Sequence, residues 1–407
     1  MHGFKTVDDI TNKLSADEWL ENEIISDLDL SGANLQGAKF KNVTFNHVNF
    51  GEASLQGAVF ESSVFNSVNL SKANCSSADF SGSFFVNAVC EETNFSQASI
   101  RKAIFLTENS PEKNPKKVEV TFAELNLPVE ALSTLKESGV CGFVKGYASL
   151  SGSNLSSADL SDSVFVGVEF SDCLFLNAQC IGAIFDNCSF ERVRFEKSLF
   201  KGASLENCNL SFTNFDNAHF EESEISAGTL NRSDFSKSIF DKVKFSKLDF
   251  SRINSQLPAA INNCAFLECD LSGMDFSDGI INGADFSKTN IQGVCFNNAE
   301  LKEAVFDKAL LKDIDFRGVD LTNADFSGAD LVRANFSGCN LCDSDLSGAD
   351  LKQADFSKAN LQGTILTNAN ISQANFADAI MDYCELSGCN IEGIKFLNTK
   401  ISSTDFE

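Results

Sequence analysis

Histidine and basic charge are both scarce in this 407-residue chain, and each shortage removes a class of function. Only three histidines occur, His2, His47 and His219, in unrelated places, so neither a Cys–His or Ser–His catalytic arrangement nor a zinc cluster can be built from them. No apolar run approaches the roughly 18 residues of a membrane helix, and the acidic N-terminus does not read as a signal peptide. Membrane insertion is therefore not expected. Lys and Arg number 32 against 57 Asp and Glu, and the net charge of −25 disfavours nucleic acid and anionic membranes as partners. Repeated Ser-Gly and Gly-Ala pairs give GxxxxG spacing without the Lys-Ser/Thr of a phosphate-binding loop. The expectation is no enzyme, no cofactor and no metal.

What the chain does contain is a beat of five. In "ADLVRANFSGCNLCDSDLSGADLKQADF" an apolar residue recurs at Leu331, Phe336, Leu341, Leu346, Leu351 and Phe356. Neither the 3.6-residue period of a helix nor the two-residue period of a strand gives this spacing. The backbone must bend once per five residues for every apolar side chain to reach one axis. Three runs keep the beat, Leu30 to Phe105, Leu150 to Phe250 and Ile261 to Phe406, with 67 central positions that are all Phe, Leu, Ile, Met or Cys. Of the 39 Phe, 34 are central; Phe4, Phe84, Phe122, Phe143 and Phe212 are not. Two residues before a centre the side chain is usually small, as at Ala324, Ala329, Ala334 and Ala349, and Asp or Asn usually stands between.

These units, "ADFSG", "ADLVR" and "ANFSG", resemble the A-[DN]-[LF]-x-x unit of the pentapeptide-repeat family over about five-sixths of the chain. The resemblance implies an all-β fold: a right-handed quadrilateral parallel β-helix, with four five-residue repeats per coil. The residues themselves support four. Asn34–Phe50 matches Ser54–Leu70 after a shift of twenty. The last run also alternates over ten residues, with Phe276, Phe296, Phe316 and Phe336 in one column and Leu271, Ile291, Leu311 and Leu331 in the next, which excludes three sides. At about 4.8 Å per coil, 67 repeats predict roughly seventeen coils and a rod near 80 Å long.

The sequence divides into a small helical N-terminal cap over 1–24, solenoid segments at 25–105, 148–250 and 261–407, a loop-plus-helix insertion at 106–147, and a register-shifting loop at 251–260 containing Pro258. In the cap, Thr6 and Ser15 are candidate helix N-caps. Leu14, Trp19, Leu20 and Ile24 are candidate covers for the first coil. In the insertion, Pro128 to Ser138 reads as a short helix. Eleven of the fourteen Cys occupy central or small inward positions, which predicts buried free thiols in a reducing compartment. Cys339 and Cys342 form a CxxC whose members should point in opposite directions.

The function expected is that of a non-enzymatic scaffold binding a protein partner, with two settings considered: a bacterial cytoplasm, or a host cytosol reached without a cleavable signal peptide. A monomer is expected. Acidic members of the family bind DNA gyrase in place of DNA, so DNA mimicry is the alternative that the resemblance implies. Residues 261–407 carry −13 of the charge, but the carboxylates just before each centre distribute almost evenly over four columns, whereas a mimic needs one charged face. The candidate partner contact is the insertion. Lys113, Lys116 and Lys117 are its basic cluster, and Phe122, Leu125, Leu127, Leu132 and Leu135 its apolar anchors. Those anchors either meet the partner or cover the solenoid.

Overall fold

A five-residue repeat becomes a coil when each repeat is a short extended piece followed by a tight turn. In the computed structural model, which describes residues 7–14, 18–106, 148–253, 257–258 and 260–403, that is the recurring unit. The centre is extended and points inward. The residue two positions later takes a left-handed conformation, as at Asn42 (φ 52°) and Gly57 (φ 65°). Asn and Gly tolerate that region best. The turn then closes by a backbone bond, with the N–H of Ala53 donating to the carbonyl of Phe50 at 3.0 Å.

Coils stack in parallel at a register of twenty residues, and there are four ladders per coil, so the solenoid is four-sided. The chain forms two compact units, Met1–Ala218 and His219–Glu407. In the first, the strands Ile24–Ser26, Thr44–Asn46, Val64–Asn66, Phe84–Val86, Ile104–Leu106, Val164–Val166, Ile184–Asp186 and Ser204–Glu206 pair in that order. In the second, Glu224–Ser226, Lys244–Ser246 and Ala265–Leu267 do the same. Single bridges carry a neighbouring ladder through Ala260, Ile280, Glu300, Asp320, Asn340, Asn360, Ile380 and Lys400. Down the axis the Phe rings stack face to face, Phe65 on Phe85 at 4.4 Å and Phe85 on Phe105 at 4.1 Å. In the second unit Phe336, Phe356 and Phe376 stack at 4.9 Å. Neighbouring columns meet edge to face, the preferred alternative for rings that cannot stack.

The small inward position follows a rule of its own. At several positions where it is Ser, Thr or Cys rather than Ala, its side chain donates to the carbonyl of the centre 23 residues earlier. Thr93 reaches Leu70 at 2.7 Å, Cys173 reaches Leu150 at 2.8 Å and Thr364 reaches Leu341 at 2.8 Å. A buried hydroxyl or thiol is thereby satisfied at no cost in volume.

Three features modify the expected segmentation. The solenoid begins before residue 25: Trp19–Glu21 pairs in register with Lys39–Lys41, and Leu20 and Ile25 are buried centres on the same beat. Among the described residues the helix runs over Val7–Leu14, where Ile10 is buried and Lys13 lies 3.6 Å from Glu23. Trp19–Glu21 is a strand with Trp19 outward and Leu20 inward. Trp19 and Ile24, 37% and 57% exposed, therefore do not cover the first coil. Thr6, Ser15 and the helix expected at 128–138 lie outside the described residues.

Across the insertion the stacking continues directly. Phe105 pairs with Phe165, rings 4.9 Å apart, and Val89 with Ser149, so Leu150 takes the place that residue 110 would hold in an unbroken run. The expected register shift is present as well: Phe240 pairs with Ile261 and Phe245 with Phe266, a step of 21. There Phe250–Arg252 makes one turn of 3-10 helix capped by Asp249, and Leu257 is buried.

Candidate interaction surface

The residue before each centre faces outward, and Asp is favoured there for a local reason. Its Oδ1 accepts the N–H of the residue after the centre: Ser287 donates to Asp285, Ser327 to Asp325 and Ser347 to Asp345, each at 2.8 Å. One oxygen fastens the turn and the other faces outward. Since successive coils stack at twenty residues, these carboxylates form fixed columns, with Asp325 bridged to Asp345 and Asp330 to Asp350. Asn continues a column without adding charge. The amide of Asn370 donates to Asp350 at 2.8 Å and that of Asn375 to Asp355 at 3.0 Å. The columns read from the sequence, Asp270, Asp330 and Asp350 on one face and Asp285, Asp325, Asp345 and Glu385 on another, are those of the structure.

Their charge is held on rather than suppressed. The Arg317 guanidinium, 2.7 Å from Asp315, keeps that carboxyl below its usual range, and Arg333 does the same for Asp313 from the next coil at 2.5 Å. At Asp320 burial pushes the pKa up, but bonds from Thr322 and from Lys302 at 3.3 Å outweigh it and the net shift is downward. Exposed ion pairs of this kind add little stability. Their effect is to fix a pattern of ionised groups on a rigid sheet. Asp313, Asp315 and Asp320 are all shifted downward, opposite to the shift a general acid needs.

Among the described residues no cluster of three or more His, Cys, Asp or Glu could hold a metal. The CxxC splits as expected. Cys339 is buried, its thiol donating to the Phe316 carbonyl at 2.6 Å and pushed by burial up to about 12, while Cys342 lies at the surface and accepts from Asn360 at 2.9 Å. In the second unit an open groove of about 540 Å³ is lined by Asp241, Asn262, Ile280, Asn282, Lys302 and Glu303. No described helix is long and apolar enough to cross a membrane.

The residues chosen from sequence as the partner contact, Lys113, Lys116, Lys117, Phe122, Leu125 and Leu132, all lie outside the described residues. The structure instead reveals a surface that the sequence reading missed. Around the strand Phe84–Val86 the residues flanking the centres are apolar and form a buried cluster of their own: Val64, Phe84, Val86, Ile104, Leu106 and Val164. The signal was available, since "FFV", "IFL" and "VFV" stand where the repeat normally places Asp or Asn before the centre and a polar residue after it.

Comparison with known proteins fits this architecture. The model described as "Pentapeptide repeat region" matches residues 181–254 and 259–336, and that described as "Pentapeptide repeats (8 copies)" matches 45–74, 73–105, 147–175, 153–192, 334–373 and 369–407. Together they span well over half of the chain. No curated protein matches it significantly. Among solved structures, a pentapeptide repeat protein from Nostoc PCC 7120 is 36% identical over 24% of this chain and 84% of its own, with a TM-score of 0.21. QnrB1, a plasmid-mediated fluoroquinolone resistance protein, is 20% identical over 55% of this chain and 91% of its own, with a TM-score of 0.29. HetL, involved in heterocyst differentiation regulation in the cyanobacterium Nostoc sp. strain PCC 7120, is 14% identical over 74% and 98%, with a TM-score of 0.21.

Proposed function

This chain belongs to the pentapeptide repeat family, and we propose that it works as a non-enzymatic scaffold that binds a protein partner. The observation that carries the reading is the set of carboxylate columns. Many of the acids before centres, Asp325 and Asp345 among them, are fastened by their own turns and repeat at coil spacing, so the surface is a rigid lattice of negative charge. A lattice that does not reorganise loses little entropy when a complementary basic surface docks. The lysines of the insertion, Lys113, Lys116 and Lys117, are the densest basic cluster in the sequence, and we assign them the partner contact. A reducing cytosol, bacterial or of a host, is the proposed setting; the free thiols of all described cysteines support it.

The test is affinity capture with the intact chain and with a variant whose residues 108–117 are replaced by a short Gly/Ser linker. That change should leave the melting temperature nearly unaltered, because loop closure depends only weakly on length. The variant should lose the partner. An unchanged partner set would move the contact to the acidic columns.

The second reading is mimicry of DNA towards gyrase, favoured by the stacked like charges Asp325–Asp345 and Asp330–Asp350. It requires one charged face, and the acids occupy four. A supercoiling assay separates the two: inhibition at near-stoichiometric protein would reverse the ranking.

A further inference from the structure

On one face of the second unit two unlike rows of side chains run side by side from coil to coil. In each strand the centre points inward and its two neighbours point outward, roughly 6.6 Å apart along the chain. Ile239, Ala260 and Ile280 each precede a centre and stack in one row, set by the pairing of Phe240 with Ile261 and by the bridge from Ala260 to Ile280. All three are exposed, Ile239 at 53% and Ile280 at 44%. With coils about 4.8 Å apart the two isoleucines stand roughly 10 Å apart, and the small Ala260 leaves a notch between them. Asp241, Asn262 and Asn282 each follow a centre and form the second row, which lines the open groove of about 540 Å³. This row is short of donors. Lys302, on the wall of the groove, is engaged by Asp320 of the next coil at 3.3 Å, and Lys242 turns to Glu222 at 3.6 Å. Among the described residues the carboxylates of Asp241 and Glu303 have no side-chain partner. The Oδ1 of Asn262 is buried and accepts no hydrogen bond.

We propose that this face docks an extended segment of a protein partner that carries an aliphatic side chain two residues from an arginine. The spacing fits, because side chains two apart in an extended segment lie on one face roughly 6.6 Å apart, the separation of the two rows. The aliphatic group enters the notch over Ala260, between Ile239 and Ile280. The arginine then reaches the groove, where the uncompensated charge of Asp241 and Glu303 calls for a cation. Arginine suits it better than lysine, since its planar fork donates to more than one acceptor at once. Asp241 takes one arm. The amide of Asn262, turned about its soft terminal torsion, offers its unsatisfied oxygen to the other. Nucleic acid and anionic lipid bring no cation and are repelled by the same charge. Both rows stand on bridged backbone, so the face loses little freedom when it is filled. The inference rests on the scaffold reading for the class of its partner, but not on Lys113, Lys116 and Lys117. Those lysines select an acidic surface and this face selects a basic one, so each contact can be removed without the other.

Fluorescence anisotropy with the full chain and a labelled peptide, Gly-Ser-Leu-Ser-Arg-Ser-Gly, tests the proposal at about 0.15 M salt. The peptide should bind about tenfold or more tighter than versions with Ser in place of Leu or Glu in place of Arg. Asp241→Lys should weaken it by a similar factor, and so should Ala260→Phe, which fills the notch. Should Ala260→Phe fail to fold, Ile280→Ser opens the same row without added bulk and should weaken binding in the same direction. Glu385→Lys makes the same charge change on another face and should bind like the parent, as should the variant with a Gly/Ser linker at 108–117. No binding by the parent at about 1 mM peptide overturns the proposal. Equal binding of the three peptides, or an equal loss in Glu385→Lys, shows attraction to the acidic surface at large and overturns it too. Loss in the linker variant would move the peptide to the insertion, which overturns this site and leaves the scaffold reading standing. A parent dimeric by light scattering and made monomeric by Asp241→Lys would assign the face to a second copy and overturn it as well.

Discussion

Replacing Phe316 by Asp tests the inward-facing column at its strictest point. Phe316 is fully buried, stacked between Phe296 at 5.6 Å and Phe336 at 5.4 Å, and edged by Phe306 and Phe326 at 5.8 and 5.7 Å. Truncating a buried Phe costs about 3–5 kcal/mol. An unpartnered polar group in the space left adds about 1–3 kcal/mol. The expected loss is therefore about 4–8 kcal/mol, which for a unit of this size lowers the melting temperature by more than about 10 °C. A sharp control lies six residues away, where Leu310 is 73% exposed although its neighbour Leu311 is a buried centre. Leu310→Asp should change stability by no more than about 0.5 kcal/mol. The sign of the pH dependence adds a second check. A carboxyl buried among rings has its folded pKa raised above the unfolded value of about 3.9, so its penalty builds as pH rises through that interval and disappears below it. Circular-dichroism melts of Phe316→Asp and Phe316→Asn should therefore converge as pH falls towards 4. If Phe316→Asp melts with the parent at neutral pH, the inward assignment and the energetics built on it are wrong.

Two further outcomes follow from the same geometry. Cys188 and Cys208 occupy equivalent positions on adjacent coils, their thiols directed to the carbonyls of Phe165 and Phe185, and burial raises the Cys188 pKa. Native protein alkylated without reductant should show no crosslinked pair, with the core thiols of Cys75, Cys90 and Cys180 reacting only after unfolding; a stoichiometric disulfide would refute this. Asp270, Asp275, Asp315 and Asp320 all have depressed pKa values in the folded state. Their contribution is complete above the unfolded value of about 3.9 and is lost as pH falls through the lower folded values. Acid unfolding followed by circular dichroism should accordingly begin below about pH 4, and loss of structure near pH 6 would contradict it.

Much of the fold was legible because one side chain in five must reach a common axis, and no other architecture tolerates that beat. The four columns followed from Phe276, Phe296 and Phe316 recurring at twenty. The start was harder to place. Leu20 and Ile25 keep the beat, yet the residues two before them are Glu18 and Glu23, not small ones. Both glutamates remain at least partly exposed, so the steric demand that makes Ala324 or Ala349 recognisable is relaxed there. The buried outward face escaped notice for the opposite reason. Flanking positions are normally free to be anything polar, so a run of Phe84, Val86, Ile104 and Leu106 reads as noise until the strands are set side by side. The partner-facing residues assigned from sequence rest on composition alone, and composition places no side chain.

The 21-residue step between Phe240 and Ile261 has an implication for how such a chain changes over generations. A single inserted codon would ordinarily carry every later side chain to the wrong side of the wall. Here the surplus is absorbed between Phe250 and Ile261, after a turn of 3-10 helix capped by Asp249, and the beat resumes without loss. Lengthening by one residue is thus survivable where a corner can swell, and lengthening by twenty is close to neutral anywhere. A gene of this kind can grow by duplication in whole coils, and its total length says more about its history than about its task.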